Sequence, residues 1–230
     1  MAQTDAGVAP TRGRFITFEG GEGSGKSTQI RLLAERLDAE NLRVIVTREP
    51  GGSPGAEIIR HLVLSGMGKL LGPEAETMLF AAARDDHVQS VIAPALAQGM
   101  WVLCDRFADS TRAYQGKVGN VDAKLLDALE RVTIGDLKPD LTIILDLPVE
   151  TGVKRAAVRR GADAPDRFEA EHIDFHQKLR DAYRQIAADE PRRCELIDAT
   201  GTPEQVALKV WSAVHDRLLT AAHSDKVTHA

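Results

Sequence analysis

Cysteine is nearly absent from the chain: the 230 residues hold two, Cys104 and Cys194. Both sit inside apolar runs, so two buried thiols in a reducing compartment are expected, not a disulfide or a metal site. Long apolar runs are missing too. None approaches the ~20 residues that a membrane span needs, and residues 1–13 have no apolar stretch of the kind a signal peptide carries. Positive charge is not in excess. The 29 Lys and Arg against 34 Asp and Glu give a net charge of -5, which argues against broad affinity for nucleic acid or an anionic membrane. A local cationic pocket is still compatible with that balance. What is present is ordinary globular usage, 43% hydrophobic and 27% charged, enough for one domain with a sizeable core. Neither an internal repeat nor an interdomain linker is visible. A single domain over residues 14–222 is expected, with loose tails at 1–13 and 223–230, in the cytoplasm.

Apolar, β-rich runs recur at residues 14–19, 43–47, 100–104, 141–147 and 193–197. They are continuous, not alternating, which suits strands buried on both faces. Ile30, Leu33, Ala34 and Leu37 repeat at helical spacing between the first two. Strand, helix, strand in this succession predicts a three-layer α/β/α fold around a five-stranded parallel sheet. Ligands of such sheets sit beyond the carboxyl ends of the strands, and the motifs below fall there.

Directly after the first strand stands Gly20-Gly21-Glu22-Gly23-Ser24-Gly25-Lys26-Ser27, followed by Thr28. It satisfies G-x-x-x-x-G-K-[ST] in the strand–loop–helix context that gives the pattern meaning. Glycines let successive N–H groups turn toward phosphate oxygens, and the helix N-terminus adds a favourable dipole. Lys26 supplies charge for the β- and γ-phosphates of ATP, and Ser27 a hydroxyl for Mg²⁺. The GTPase base-reading pattern N-K-x-D is absent, as is D-x-x-G after the second or third strand. Gly21 and Glu22 occupy the region where partition-type ATPases carry a second lysine. A small-molecule kinase is therefore favoured over a P-loop switch protein.

Thr47-Arg48-Glu49-Pro50-Gly51-Gly52 follows the second strand, and Asp105-Arg106-Phe107-Ala108-Asp109-Ser110 the third. Ala113-Tyr114-Gln115-Gly116 comes next, and a helical segment between carries Phe80 and Arg84. The ordered set resembles the thymidylate kinases from about Phe15 to Thr200. The resemblance implies transfer of the γ-phosphoryl of MgATP to dTMP by a homodimer. It also implies that Phe80 stacks on thymine, where the residue by itself reads as core packing. Arg84 would donate to the base's exocyclic oxygen, or else lie on a solvated helix face. Arg48 and Arg106 would hold the acceptor phosphate, Ser110 and Gln115 the base edge, while Tyr114 would crowd the 2′ position. Glu22 would accept from the acceptor's 3′-hydroxyl. Asp105 would hold Mg²⁺ through its water shell or orient the acceptor phosphate, unless it only caps the next helix. Glu49 would order metal-bound water or simply pair with Arg48.

Lys154-Arg155-Ala156-Ala157-Val158-Arg159-Arg160-Gly161 leads into a Gly/Asp/Ala/Pro stretch and Asp166-Arg167-Phe168-Glu169. A basic lid over about 154–168 is expected, because arginine stabilises charge on a transferring phosphoryl group. The P-loop has no basic residue in Glu22-Gly23-Ser24, so the resemblance puts the catalytic arginines in the lid, Arg159 and Arg160 foremost. Asp198-Ala199-Thr200-Gly201 resembles the adenine-contacting segment. His172 and His176 lack the glutamate of H-E-x-x-H and read as surface histidines.

Overall fold

The five apolar runs form five strands, each within one residue of the expected bounds: β1 (Phe15–Glu19), β2 (Val44–Arg48), β3 (Trp101–Asp105), β4 (Leu141–Asp146) and β5 (Cys194–Asp198). The computed structural model describes residues 12–161 and 167–220. Most of the expected tails and residues 162–166 of the expected lid lie outside them. The strands pair in parallel in the order β2-β3-β1-β4-β5. Every residue of β1 is buried, which is why its run shows no polar alternation.

Helices α1 (Lys26–Ala39), α2 (Pro54–Leu64), α3 (Pro73–His87), α4 (Ala93–Ala97), α5 (Ala108–Thr111), α6 (Ala123–Thr133), α7 (Val149–Arg160), α8 (Ile173–Asp189) and α9 (Pro203–Val214) connect and cover the sheet. On one face Ile30, Leu33 and Leu37 of α1 join Val206, Val210 and Val214 of α9 over Ile16, Phe18 and Ile143. On the other, Ile92 and Leu96 pack with Phe15, Val102 and Phe107, the two rings meeting edge to face at 4.9 Å. Leu179, Tyr183 and Ile186 of α8 complete that layer with Ile144. Both thiols are buried, as expected, Cys104 between sheet and helices and Cys194 beside α8.

Strand order decides where the chemistry goes. The chain leaves β1 into α1 on one face, and β3 returns beside β1, so a crevice opens between their carboxyl ends. The register Phe18↔Asp105 sets the P-loop and the Asp105-Arg106 turn opposite each other. Asp105 and Arg48 are themselves the last, mutually paired residues of β3 and β2.

Candidate active site

A cleft of about 310 Å³ opens at these strand ends. It is lined by Gly23–Thr28, by Arg48, Glu49, Asp105 and Arg106 at the ends of β2 and β3, and by Phe80, Arg84, Tyr114 and Gln115. Gly20, Gly23 and Gly25 have φ of 131°, 66° and 97°, a region in which side-chain-bearing residues are strained. A Cβ on Gly23 would lie 2.0 Å from the carbonyl oxygen of Gly152. The loop is therefore packed backbone to backbone against α7. Helix α1 starts without a side-chain cap, so its first N–H groups face the cleft as an anion site. Lys26 Nζ donates to the carbonyls of Gly20 and Gly21, both at 3.1 Å. Burial pushes its pKa down, with Arg106 adding to the effect against Asp105 and Glu22. Ser27 Oγ donates to Asp105 Oδ2 at 3.2 Å, while Asp105 Oδ1 is buried without a hydrogen-bond partner.

Arg106 adopts φ 70°, rare for a side chain of its size. Its amide donates to Phe18 O at 2.9 Å. Its guanidinium donates to Glu22 Oε1 at 2.7 Å, and to Gly20 O and Tyr183 Oη at 3.3 Å. Burial works against the Glu22 charge, but Arg106, Lys26, Arg159 and His176 outweigh it and hold the carboxyl below its usual pKa. An acid thus sits in an anion-binding loop because cations surround it.

Glu49 does not pair with Arg48. Its carboxylate accepts from Arg84 Nε at 2.8 Å and contacts His87 Nδ1 at 3.1 Å. Arg48 reaches forward instead, to Glu57 Oε1 at 2.8 Å. The two side chains point to different helices, Arg48 to α2 and Glu49 to α3, and the Glu49–Pro50 peptide is cis. Arg84 is buried, not on a solvated face: NH2 also donates to Phe107 O and Thr111 Oγ1. Phe80 is half-buried at the cleft rather than in the core, its ring 6.4 Å from Phe168. Tyr114 and Gln115 stand on a π-helical segment, Arg112–Val118, that continues α5. Glu169 holds Arg159 NH2 at 3.0 Å and Arg160 NH1 at 2.9 Å. Of the two arginines Arg159 lines the cleft, with Glu22 Oε2 at 3.9 Å. Arg155 is exposed and donates to Ala199 O at 3.4 Å. His176 is buried beneath the site, against the surface reading; His172 is exposed.

Sequence reasoning missed Glu19 and Tyr183. Glu19, the buried last residue of β1, accepts from the amides of Phe107 (2.8 Å) and Ser110 (3.2 Å). It also accepts from Ser110 Oγ (2.6 Å) and Tyr183 Oη (2.9 Å). Burial and the nearby Asp109 push its pKa up to about 7, against the pull of Ser110, Arg106 and the Phe107 amide. Ser110 therefore turns its hydroxyl toward Glu19. The available signal was an acid closing an otherwise apolar run.

A Gly-rich P-loop at a strand–helix junction, sharing one cleft with Arg48 and Arg106 at the ends of β2 and β3, defines a P-loop nucleotide-binding protein of the α/β class. The thymidylate kinase family profile matches residues 18–210. A thymidylate kinase of Nitrobacter winogradskyi is 71% identical over 230 residues, all of both chains. One of Bradyrhizobium diazoefficiens is 75% identical over 208 residues, 90% of this chain and 91% of that one. The crystal structure of the Ehrlichia chaffeensis thymidylate kinase superposes with a TM-score of 0.71 at 34% identity, over 88% of this chain and 99% of that one. The chain belongs to the thymidylate kinase family, phosphotransferases with a phosphate group as acceptor.

Proposed function

We propose that the protein transfers the γ-phosphoryl group of ATP to dTMP, giving dTDP and ADP for dTTP synthesis. One observation carries the reading. The P-loop with Lys26, the arginines Arg48 and Arg106, and Phe80, Arg84 and Gln115 all line a single cleft. In-line transfer needs little more than such positioning and charge neutralisation. The P-loop amides and Lys26 bind the donor phosphates, and Arg106, fixed by Glu22, Gly20 O and Tyr183, binds the acceptor phosphate bidentately. Phe80 stacks on the base. Arg84, its fork set by Glu49, Phe107 and Thr111, donates to a base carbonyl. Tyr114 crowds the sugar, and Glu22 accepts from the 3′-hydroxyl. Arg159 is the lid arginine nearer the transferring group.

Ser27 and Asp105 fit Mg²⁺. Both offer hard oxygens, and Asp105 Oδ1 is a buried carboxylate oxygen without a hydrogen-bond partner that such an ion would take up. When bound, the ion neutralises charge on the β- and γ-oxygens. A homodimer is supported by the exposed apolar side chains of Ile58 on α2, Leu70 on the turn between α2 and α3 and Val132 on α6, 73%, 87% and 80% accessible, together with Met67 and Leu71 on the same turn and Met78 on α3. Among the described residues no helix is long and apolar enough to cross a membrane, and a cytoplasmic enzyme is the compartment proposed.

The direct test incubates the protein with Mg²⁺, dTMP and ATP labelled in the γ-phosphate, then separates the products. Label in dTDP supports the reading. Label only in inorganic phosphate, whatever the acceptor, overturns it.

A further inference from the structure

The acceptor-side arginine is not placed by its own turn alone. Arg106 NH1 donates to Tyr183 Oη at 3.3 Å, and Tyr183 comes from α8, far along the chain. A hydroxyl has one proton. The proton of Tyr183 points at Glu19 Oε2, 2.9 Å away, because an ionised carboxylate only accepts. That direction leaves the phenol oxygen's lone pairs for Arg106. Glu19 spends its two oxygens differently. Oε1 takes the backbone amides of Phe107 and Ser110, which ties β1 to the turn after β3. Oε2 takes the hydroxyls of Ser110 and Tyr183. The carboxylate and the phenol are both out of solvent: Glu19 is fully buried and Tyr183 is 2% exposed.

We propose that Glu19 and Tyr183 are positioning residues for the acceptor-phosphate clamp, Glu19 orienting the Tyr183 hydroxyl so that its oxygen accepts from Arg106 and holds the guanidinium toward the acceptor. The proposal rests on the functional reading above, in which Arg106 binds the acceptor phosphate. Neither residue touches a substrate. The same carboxylate joins the donor side to the acceptor side, since Glu19 immediately precedes Gly20 of the P-loop. Arg106 is held to that loop as well, through Gly20 O and Glu22.

The two oxygens of Glu19 allow the positioning role to be separated from simple folding. Glu19→Gln with its carbonyl at Oε1 retains both backbone bonds. Its amide then replaces Oε2 and donates to Tyr183 and Ser110, so the tyrosine proton loses its carboxylate acceptor and must turn toward Ser110 Oγ, 3.0 Å away, or toward Arg106. Tyr183→Phe keeps the buried ring and removes the acceptor. Steady-state kinetics are measured for the wild type, both single variants and the double variant at about pH 8, above the Glu19 pKa of about 7, with thermal melting alongside. We expect KM for dTMP to rise roughly 5- to 30-fold in each single variant, the weight of one hydrogen bond to a charged group. KM for ATP stays unchanged, and the double variant is no worse than the weaker-binding single one, because both changes remove the same bond. Unchanged KM for dTMP in folded variants overturns the inference. So do effects that multiply in the double variant, or KM values for dTMP and ATP that rise together with a fall in melting temperature. A wild type that does not phosphorylate dTMP instead overturns the functional reading, and the inference with it.

Discussion

Replacing Gly152 with alanine sets two effects of opposite sign against each other. Gly152 lies in the first turn of α7 with ordinary helical φ, so alanine gains about 1 kcal/mol of helix propensity there. The added Cβ, however, would stand 2.4 Å from the carbonyl oxygen of Glu22. Carbon–oxygen contacts close at about 3.3 Å, so α7 or the P-loop must yield by about 1 Å. Both partners are backbone, and the reciprocal contact at Gly23 is tighter still, so no flexible side chain absorbs the strain. Overpacking of this kind costs about 1–3 kcal/mol. The net change is about 0–2 kcal/mol of destabilisation, a fall of a few degrees in Tm for a domain this size. Activity suffers more. Arg159 is seven residues further along α7, and a rigid shift of the helix by about 1 Å moves it relative to the phosphates; misplacement on that scale costs about 10²-fold in rate. The assay is steady-state turnover at saturating ATP and dTMP, with melting followed by circular dichroism. A raised Tm with unchanged kcat would refute the reasoning, because it would mean that α7 is not wedged against the P-loop.

Phe80→Ala should lower affinity for dTMP by roughly 10- to 100-fold, the worth of one base-stacking platform, with little loss of Tm because the ring is only half-buried; titration calorimetry reads both affinity and fold integrity. Stability should depend on pH through Glu19. Its folded pKa of about 7 lies above the ordinary 4.5, so its contribution is full below about pH 4.5 and is lost as pH rises through about 7, on the order of 3 kcal/mol in all. Glu19→Gln should therefore lose less stability than the wild type between pH 5 and 8, approximately, and parallel denaturation curves across that range would contradict the assignment. Leu70→Glu, at the most exposed of the apolar positions, should shift sedimentation from dimer to monomer; a wild type already monomeric would dispose of the dimer.

The fold was legible because its signals are local. Continuous apolar runs marked every strand to within a residue, and the P-loop announced the turn after β1. Which side chains converge was only half legible. Glu22–Thr28, Arg48, Arg106, Phe80 and Arg84 do meet in one cleft, but the pairings behind them were not visible. Glu49 looked like a partner for its neighbour Arg48. Its partners are Arg84 and His87, both buried on α3. Glu19 joins Phe107 and Tyr183 across separations of 88 and 164 residues, and no periodicity reports a contact made by sheet order. His176 looked like a surface residue because a single helix does not reveal which of its faces the sheet will cover.

The central claim is that one cleft binds ATP and dTMP with their phosphates face to face. Its most direct test is ADP release coupled to a spectrophotometric readout, with MgATP and dTMP, dUMP, dCMP, dGMP, thymidine or no acceptor, repeated for Arg106→Ala. Fast turnover with dTMP is predicted, falling by roughly 10²-fold or more in kcat/KM for the variant, which loses the phosphate contact and leaves Glu22 without its closest cation. Slow ADP release that no acceptor accelerates, equal in the two proteins, would contradict the account.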